Sequence, residues 1–335
     1  MQLSERIFAF IQLGRRIKSL SAPEKETLYK RARAENGWFT SENIDFSLQQ
    51  IAENLTEDKL TNWLQPYSLT SIKPKKVGVV MAGNIPLVGF HDFISVLISG
   101  HLLKAKLSRQ DEALFRYLVN LLTEEEPAFT QRIELSDKLK GIEAVIATGS
   151  DNSARYFEYY FGKYPHIIRK NRTSVAVLTG TETAADYQKL GEDIFRYFGL
   201  GCRNVAKLYV PENFDPAHFI ESLKSWQSVV ENHKYANNYE YNRSIYLLKQ
   251  APFWEGGYFL MLETSDLFSP LAVLYFEKYK DMIHLDSIIS QQKDKLQCVV
   301  GNLDYSGAIP FGQAQRPGWN DYADNIDTIK FLEEL

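Results

Sequence analysis

The stretch Val77-Gly-Val-Val-Met-Ala-Gly-Asn-Ile-Pro86 is the most informative part of this sequence for its fold class. Residues 77–82 form a short apolar run, which is typical of a strand buried on both faces of a sheet. A Gly-Asn-Ile-Pro turn then leads into a helical pattern from Leu87 to Ser99, which Gly100 closes. A buried strand that is followed at once by a helix favours a parallel α/β sheet.

The same alternation continues toward the C-terminus. Three more strand-like runs occur at 101–107, 142–147 and 165–168, and helical patterns at 110–122 and from 151 to about 160 separate them. This order predicts a mainly parallel sheet with right-handed crossovers.

A second unit of the same kind begins near Ser174, with helical patterns at 183–198 and 215–230. Its predicted strands are short apolar runs at 175–178, 204–210, 258–262, 271–276 and 296–300. The first 70 residues carry only helical patterns, for which a helical cap or docking surface is a simpler interpretation than a ligand site. The sequence therefore predicts two α/β domains preceded by a helical segment.

Composition limits the possible functions. The 335 residues suit about two domains, and the 44% of hydrophobic residues excludes intrinsic disorder. A net charge of −4 supplies no basic field for nucleic acid. The sequence contains neither an apolar run long enough to span a membrane nor a secretory signal pattern at its start. Two cysteines are too few for a disulfide framework, so a reducing, cytoplasmic compartment is expected.

Each of the two cysteines has a distinct sequence context. Cys202 lies between a predicted helix and a predicted strand, in Phe198-Gly-Leu-Gly-Cys-Arg-Asn204, where the glycines allow close backbone approach to a ligand. The adjacent Arg203 favours the nucleophilic thiolate, although a buried, inert thiol is the open alternative. Cys298 lies within a plain strand pattern and is expected to be structural.

Polar residues follow three of the predicted strands, where open α/β sheets bind ligands. Asn84 is either an amide donor to an oxyanion or the N-cap of a helix that begins at Pro86. Lys106 and Arg109 form either a ribose- or phosphate-binding pair or a solvated loop. The Thr148-Gly-Ser150 turn opens a helix, so its backbone suits a pyrophosphate. Neither a Gly-x-Gly-x-x-Gly motif nor a P-loop is present, and the scattered histidines form no metal motif.

Taken in order, these elements resemble the aldehyde dehydrogenase superfamily, and more closely its acyl-CoA reductase branch, related to the fatty-acid reductase of bacterial bioluminescence. Residues 82–86 resemble the oxyanion segment of that branch, and residues 200–204 resemble its nucleophile segment. Asp266-Leu-Phe-Ser-Pro270 is similar to the Glu-x-Phe-Gly-Pro stretch whose acid contacts the nicotinamide ribose. The ending at 310–319 is also similar, and the resemblance extends from about Lys76 to the C-terminus.

The resemblance implies an aldehyde dehydrogenase-like fold of two Rossmann-like α/β domains with parallel-rich sheets plus an N-terminal helical segment. It makes Cys202 the nucleophile and Asn84 the oxyanion donor. The implied parts are a helical segment packed on the cofactor domain (1–70), a nicotinamide dinucleotide-binding domain (71–170), a catalytic cysteine domain (171–312) and a C-terminal tail (313–335). The expected cofactor-binding residues are Lys106, Arg109, Thr148, Gly149, Ser150 and Asp266. From their charge alone, Arg169, Arg172 and Arg203 are further candidate contacts to a phosphate or the substrate, and a solvated turn is the open alternative for the first two.

Two departures from the superfamily pattern refine the expected activity. Residues 163–180 contain no carboxylate, whereas hydrolytic members carry a glutamate base there, so attack by a thiol is favoured over attack by water. Members that use NAD often place a glutamate three residues after the strand-end lysine, where this chain has Arg109. Since an arginine suits a 2′-phosphate, NADPH is preferred over NADH.

The sequence thus predicts NADPH-dependent reduction of an acyl-CoA or acyl-protein thioester to the aldehyde. Three alternatives stay open. The first is reduction of an acyl phosphate, and the second is some other aldehyde dehydrogenase-type activity. The third is a non-catalytic protein that binds an acyl group or a partner. A homodimer is also open, since superfamily members usually pair through an extended arm and residues 67–76 are short for that role.

Overall fold

The computed structural model describes residues 1–302 and 307–335. They form two compact units: unit 1 comprises Met1–Asn171 and Gly318–Leu335, and unit 2 comprises Arg172–Pro317. Each unit contains a largely parallel sheet accompanied by helices. The prediction of an α/β fold with parallel-rich sheets and a helical N-terminus is confirmed. Residues 303–306 of the predicted catalytic domain lie outside the described part of the chain.

Unit 1 begins with a run of amphipathic helices, which are α1 (Leu3–Lys18), α2 (Ala22–Glu35), α3 (Ser41–Asn54) and α4 (Glu57–Leu64). In α1 the buried Phe10, Leu13 and Ile17 recur at the spacing of one helix face. Helix α3 starts where the Thr40 hydroxyl accepts a hydrogen bond from the Asn43 backbone N–H at 3.2 Å. These helices pack into the same core as the sheet of unit 1.

The sheet of unit 1 consists of β1 (Lys76–Val80), β2 (Leu102–Lys106), β3 (Ile133–Leu135), β4 (Ala144–Thr148) and β5 (His166–Arg169). Its order is β3-β2-β1-β4-β5, and all neighbouring strands are parallel. The chain adds β2 and β3 on one side of β1 and then returns to add β4 and β5 on the other. This reversal creates a topological switch point at the carboxyl ends of β1 and β4, where open sheets bind ligands.

The helices that connect these strands are α5 (Phe90–Ser99), α6 (Glu112–Glu125) and α7 (Asp151–Phe161). Helix α5 begins three residues later than predicted because Leu87 has a φ of 58°, in the left-handed region. Gly89 therefore occupies the N-cap position, and the alternative in which Asn84 caps a helix starting at Pro86 is wrong. Strand β3 was not predicted, since three residues are too few to show a period.

The sheet of unit 2 consists of β6 (Thr173–Val177), β7 (Val205–Pro211), β8 (Trp254–Glu255), β9 (Leu260–Glu263), β10 (Val273–Tyr279) and β11 (Leu296–Val300). The order is β11-β6-β7-β10-β9-β8, and only the short β8 pairs antiparallel with its neighbour in this described sheet.

The helices of unit 2 are α8 (Ala184–Phe195), α9 (Pro216–Ser222), α10 (His233–Leu248) and α11 (Met282–Gln292). The sequence did not predict α10, because its buried positions are Tyr235, Tyr239 and Asn242 rather than an aliphatic stripe. It also missed α11, where only Leu285 and Ile289 are buried. Within the described residues, none of the helices of either unit is long and apolar enough to cross a membrane.

The C-terminal residues 318–335 complete unit 1. Trp319 stacks on Trp63 of α4, with ring centroids 4.9 Å apart. Helix α12 (Thr328–Glu333) packs against α5, and its Ile329 and Leu332 are fully buried. These residues therefore belong to the core of the unit that contains the N-terminal helices.

Candidate functional site

Cys202 lies on an exposed turn between α8 and β7. The backbone that leads to this turn is left-handed at three consecutive residues: Tyr197 has a φ of 54°, Phe198 of 60° and Gly199 of 77°. For each of the two aromatic residues this conformation costs about 1–2 kcal/mol. Such strain persists only where the surroundings enforce it, and it is concentrated at functional sites in proteins.

The buried side chain of Asn204 holds this turn in place. Its Oδ1 accepts a hydrogen bond from the Gly201 backbone N–H at 2.8 Å. Its Nδ2 lies 2.8 Å from the Arg196 carbonyl oxygen and 3.1 Å from that of Asp193, to both of which it donates. One side chain thus ties the end of α8 to the residue that precedes Cys202.

A second set of contacts fastens both the end of α8 and the Cys202 turn to the segment around 310–315. The buried carboxylate of Asp193 accepts hydrogen bonds from the backbone N–H groups of Gly312 at 2.6 Å and Ala314 at 2.9 Å. Burial raises the pKa of Asp193 to about 7, although both N–H groups favour the ionised form. Arg203 Nε donates to the Ala314 carbonyl oxygen at 2.7 Å, so this guanidinium contributes to holding the turn.

The buried hydroxyl of Ser174 contacts both cysteines, Cys202 at its backbone carbonyl and Cys298 at its thiol. Its Oγ donates to the Cys202 carbonyl oxygen at 2.9 Å and lies 3.0 Å from Cys298 Sγ. Because the hydroxyl proton goes to the carbonyl, the Cys298 thiol is the donor in the second contact. Cys298 lies in β11, the strand expected for it.

In unit 1, Asn84 follows β1 at the carboxyl edge of the sheet. The preceding residue must be glycine: a Cβ at Gly83 would lie 2.4 Å from Ser108 Oγ. This close approach packs the Asn84 segment against Ser108 in the loop after β2. Lys106, the last residue of β2, and Arg109 in that loop are both exposed. The segments that follow β1 and β2 therefore pack against each other beside the switch point.

The Thr148-Gly-Ser150 turn begins at the last residue of β4, on the other side of the switch point. Ser150 caps α7 by accepting a hydrogen bond from the Ser153 backbone N–H at 3.3 Å. A Cβ at Gly149 would lie 2.8 Å from Ser153 Cβ and 2.9 Å from the Phe157 ring, so only glycine fits there. The turn is thus packed closely on the start of a helix, the arrangement in which backbone N–H groups bind phosphate.

The other predicted binding residues have contacts of a different kind. Arg169 is buried and forms an ion pair with the buried Asp92, and its Nη2 donates to Thr328 Oγ1 at 3.0 Å. Arg172 Nη1 donates to the Leu296 carbonyl oxygen at 2.9 Å within unit 2. These arginines have internal partners, and their phosphate-binding role stays a prediction.

Asp266 is exposed in the segment between β9 and β10, where its backbone N–H donates to Thr264 Oγ1 at 3.2 Å. Its role at a nicotinamide ribose also stays a prediction. Among the described residues, no three His, Cys, Asp or Glu side chains are grouped so as to hold a metal ion.

Unit 1 thus brings Asn84, Lys106, Arg109 and the 148–150 turn to one sheet edge, and unit 2 provides the Cys202 turn. The sequence analysis missed Asn204, Asp193 and Ser174. Asp193 carried a usable signal, since it interrupts an apolar helix face, and a buried carboxylate requires partners.

No family model matches the sequence, and no curated protein matches it. Solved structures do match. The chain superposes on an acetylating aldehyde dehydrogenase from Geobacillus thermoglucosidasius with a TM-score of 0.60 and 12% identity, covering 88% of this chain and 75% of that one. A mutant aldehyde dehydrogenase C from Pseudomonas syringae, complexed with NAD+ and octanal, matches with a TM-score of 0.64 and 12% identity. That match covers 86% of this chain and 70% of the other.

A third structure, the glyceraldehyde-3-phosphate dehydrogenase GapN from Methanocaldococcus jannaschii complexed with NADP, matches with a TM-score of 0.65 and 12% identity. It covers 94% of this chain and 82% of the other. Likeness at such low identity shows the fold, and the expectation of an aldehyde dehydrogenase-like fold is confirmed.

Proposed function

We propose that this protein reduces an acyl thioester to the aldehyde through an acyl-enzyme on Cys202. The thioester is an acyl-CoA or an acyl group on a carrier protein. The observation that carries the proposal is the exposed thiol on a strained turn, which Asn204 and Ser174 hold by internal hydrogen bonds. A thiol kept for packing alone would not require such a turn. The sequence resemblance to the bioluminescence-type acyl-CoA reductases supports the choice of substrate.

The proposed reaction starts when the Cys202 thiolate attacks the carbonyl carbon of the thioester. The donors proposed for the resulting oxyanion are the Cys202 backbone N–H and, on the sequence resemblance, the Asn84 side-chain amide. One preorganised donor of this kind lowers the barrier by about 3–4 kcal/mol. Collapse of the tetrahedral intermediate breaks the bond to the donor thiol, which leaves, and the acyl group remains on Cys202.

A nicotinamide nucleotide bound to unit 1 would supply a hydride to the carbonyl carbon of this acyl-enzyme. Hydride addition would leave the alkoxide of a thiohemiacetal on Cys202. Collapse of this alkoxide would re-form the C=O bond and break the C–S bond, so that the aldehyde is released and the Cys202 thiolate is regenerated. No net change in the enzyme remains after one turnover.

The carboxyl edge of the unit 1 sheet fits such a nucleotide. Lys106 and Arg109 are exposed cations beside the switch point, and the 148–150 turn carries closely packed glycine at a capped helix start. These residues would hold the phosphates and ribose. The proposed preference for NADPH rests on Arg109, because a guanidinium pairs with a 2′-phosphate and an acid would repel it.

The proposal favours transfer to a thiol over hydrolysis. The residues from 163 to 180, which include β5 and β6, contain no carboxylate to serve as a general base for water. A thiol needs less assistance, because it ionises far more readily than water. The reverse reaction with coenzyme A would therefore give a thioester rather than a free acid.

The test is NADPH oxidation with a panel of acyl-CoAs from short to long chain, with trapping of the aldehyde product. Cys202→Ala should abolish turnover, whereas the matched Cys298→Ser should retain it. Activity with acyl phosphates but not with acyl-CoA would change the substrate class. Turnover by Cys202→Ala would contradict the proposal, and lack of turnover and of nicotinamide binding by the wild type would leave a non-catalytic acyl- or partner-binding protein.

A further inference from the structure

The N-terminal helices contact the backbone on both sides of Asn84. They do so through two buried side chains, Asn36 and Ser47, whose hydrogen bonds cross from the helices to the segment after β1. The acceptors, the carbonyl oxygens of Gly83 and Pro86, flank Asn84. A segment held at both ends has little freedom to move the side chain between them.

Asn36 ends α2 and is 4% exposed. Its Oδ1 accepts a hydrogen bond from the Trp38 backbone N–H at 3.1 Å, which fixes the side chain in its own turn. Its Nδ2 then donates to the Gly83 carbonyl oxygen at 3.2 Å. The amide group thus links the end of α2 to the residue directly before Asn84.

Ser47 lies in the middle of α3 and is 7% exposed. A serine in this position commonly donates back to a carbonyl of its own helix. Ser95 in α5 does so, with Oγ 2.6 Å from the His91 carbonyl oxygen. Ser47 instead donates to the Pro86 carbonyl oxygen at 2.8 Å, two residues after Asn84.

A third contact fixes the same segment from Asp111, the N-cap residue of α6. The Asp111 carboxylate accepts a hydrogen bond from the Leu87 backbone N–H at 2.7 Å, and it holds Leu87 at its left-handed φ of 58°. Together with Asn36 and Ser47, this carboxylate determines the path of the backbone from residue 83 to residue 87. All three contacts end on backbone atoms, so they constrain position without depending on the side chains of the segment.

We propose that the N-terminal helices serve the reaction by fixing the oxyanion donor: Asn36 and Ser47 are positioning residues that act through Asn84. This inference rests on the proposed function, in which the Asn84 amide stabilises the tetrahedral intermediate. It gives the first 70 residues a task that a passive cap would not have. A displacement of about 1 Å in such a group costs up to about 100-fold in rate.

The experiment is a double-mutant cycle measured by single-turnover release of coenzyme A from acyl-CoA. Ser47→Ala and Asn36→Ala should each lower the acylation rate by about 10- to 100-fold, with KM for NADPH unchanged. Asn84→Ala alone should lower the rate by about 100- to 1,000-fold. In the Asn84→Ala background, Ser47→Ala should have almost no further effect, because the group that it positions is gone.

Two further variants separate positioning from stability. Ser47→Thr keeps the hydroxyl and should restore most of the rate. Ser95→Ala is the matched control: it also removes a buried helix serine, but one whose hydrogen bond to a carbonyl stays within its own helix. It should leave the acylation rate at the wild-type value. Thermal melting and NADPH binding identify any variant that fails to fold.

The outcomes distinguish this inference from the function on which it rests. An active wild type in which Ser47→Ala and Asn36→Ala acylate at the normal rate overturns the inference and leaves the function standing. Equal losses from Ser47→Ala with and without Asn84 also overturn it, because they show a general structural effect. A wild type that never forms an acyl-enzyme overturns both.

Discussion

Replacing Asn204 by alanine should destabilise unit 2 and misplace Cys202. The wild-type side chain accepts one hydrogen bond from Gly201 and donates to the carbonyl groups of Asp193, Ile194 and Arg196, with only 3% of its surface exposed. Alanine can make none of these contacts. The Gly201 N–H and the carbonyl groups at the end of α8 would then lack this partner.

The magnitude follows from these contacts. Each lost hydrogen bond contributes about 1 kcal/mol, and the two shortest, at 2.8 Å to Gly201 and Arg196, account for most of the effect. We expect the free energy of unfolding to fall by about 3 kcal/mol. For a unit of this size that lowers Tm by about 10 °C. Without Asn204, the left-handed Tyr197 and Phe198 can relax, which moves Cys202.

Two measurements check this prediction: thermal unfolding, and the rate at which iodoacetamide alkylates Cys202, resolved from Cys298 by peptide mass. The control is Asn232→Ala, which removes the N-cap of α10, where Oδ1 accepts from Lys234 N–H at 3.0 Å. The control should lose stability by about 1 kcal/mol yet alkylate normally. An Asn204→Ala variant with wild-type Tm and wild-type alkylation would refute the role assigned to this side chain.

Two further predictions concern a buried acid and cofactor choice. Because burial raises the pKa of Asp193 to about 7 from an ordinary 3.8, the folded state binds a proton that the unfolded chain releases between these values. The free energy of unfolding should therefore fall as pH rises from about 4 to 7, by up to about 1.4 kcal/mol per pH unit. In urea titrations over this range, Asp193→Asn should lack this pH dependence. Equal slopes in the wild type and the variant would exclude Asp193 as its source. Arg109→Glu should weaken NADPH binding more than NADH binding in fluorescence titrations. Equal weakening would remove the basis for the proposed NADPH preference.

Local sequence patterns predicted the elements whose burial follows their own periodicity. The run at 77–82 became the central strand β1, since a continuous apolar run suits a strand covered on both faces. The order of strand ends also placed Asn84, Lys106 and the 148–150 turn on one edge of a sheet. These are consequences of residue order alone.

Distant contacts determined what the sequence could not predict. The start of α5 moved to Phe90 because Leu87 is held left-handed by Asp111, a residue from another element. The Cys202 turn depends on Asn204 and Ser174, whose partners become neighbours only when the sheet of unit 2 is formed. No periodicity reports such pairings.

The central claim is that Cys202 carries the acyl group. Incubation with an acyl-CoA without NADPH, followed by peptide mass analysis, tests it most directly. We predict a mass increase equal to the acyl group on the peptide that contains Cys202, its removal by hydroxylamine or NADPH, and its absence in Cys202→Ala but not in Cys298→Ser. An unmodified Cys202 in a protein that turns over acyl-CoA, or an acyl group on Cys298 instead, would contradict the account.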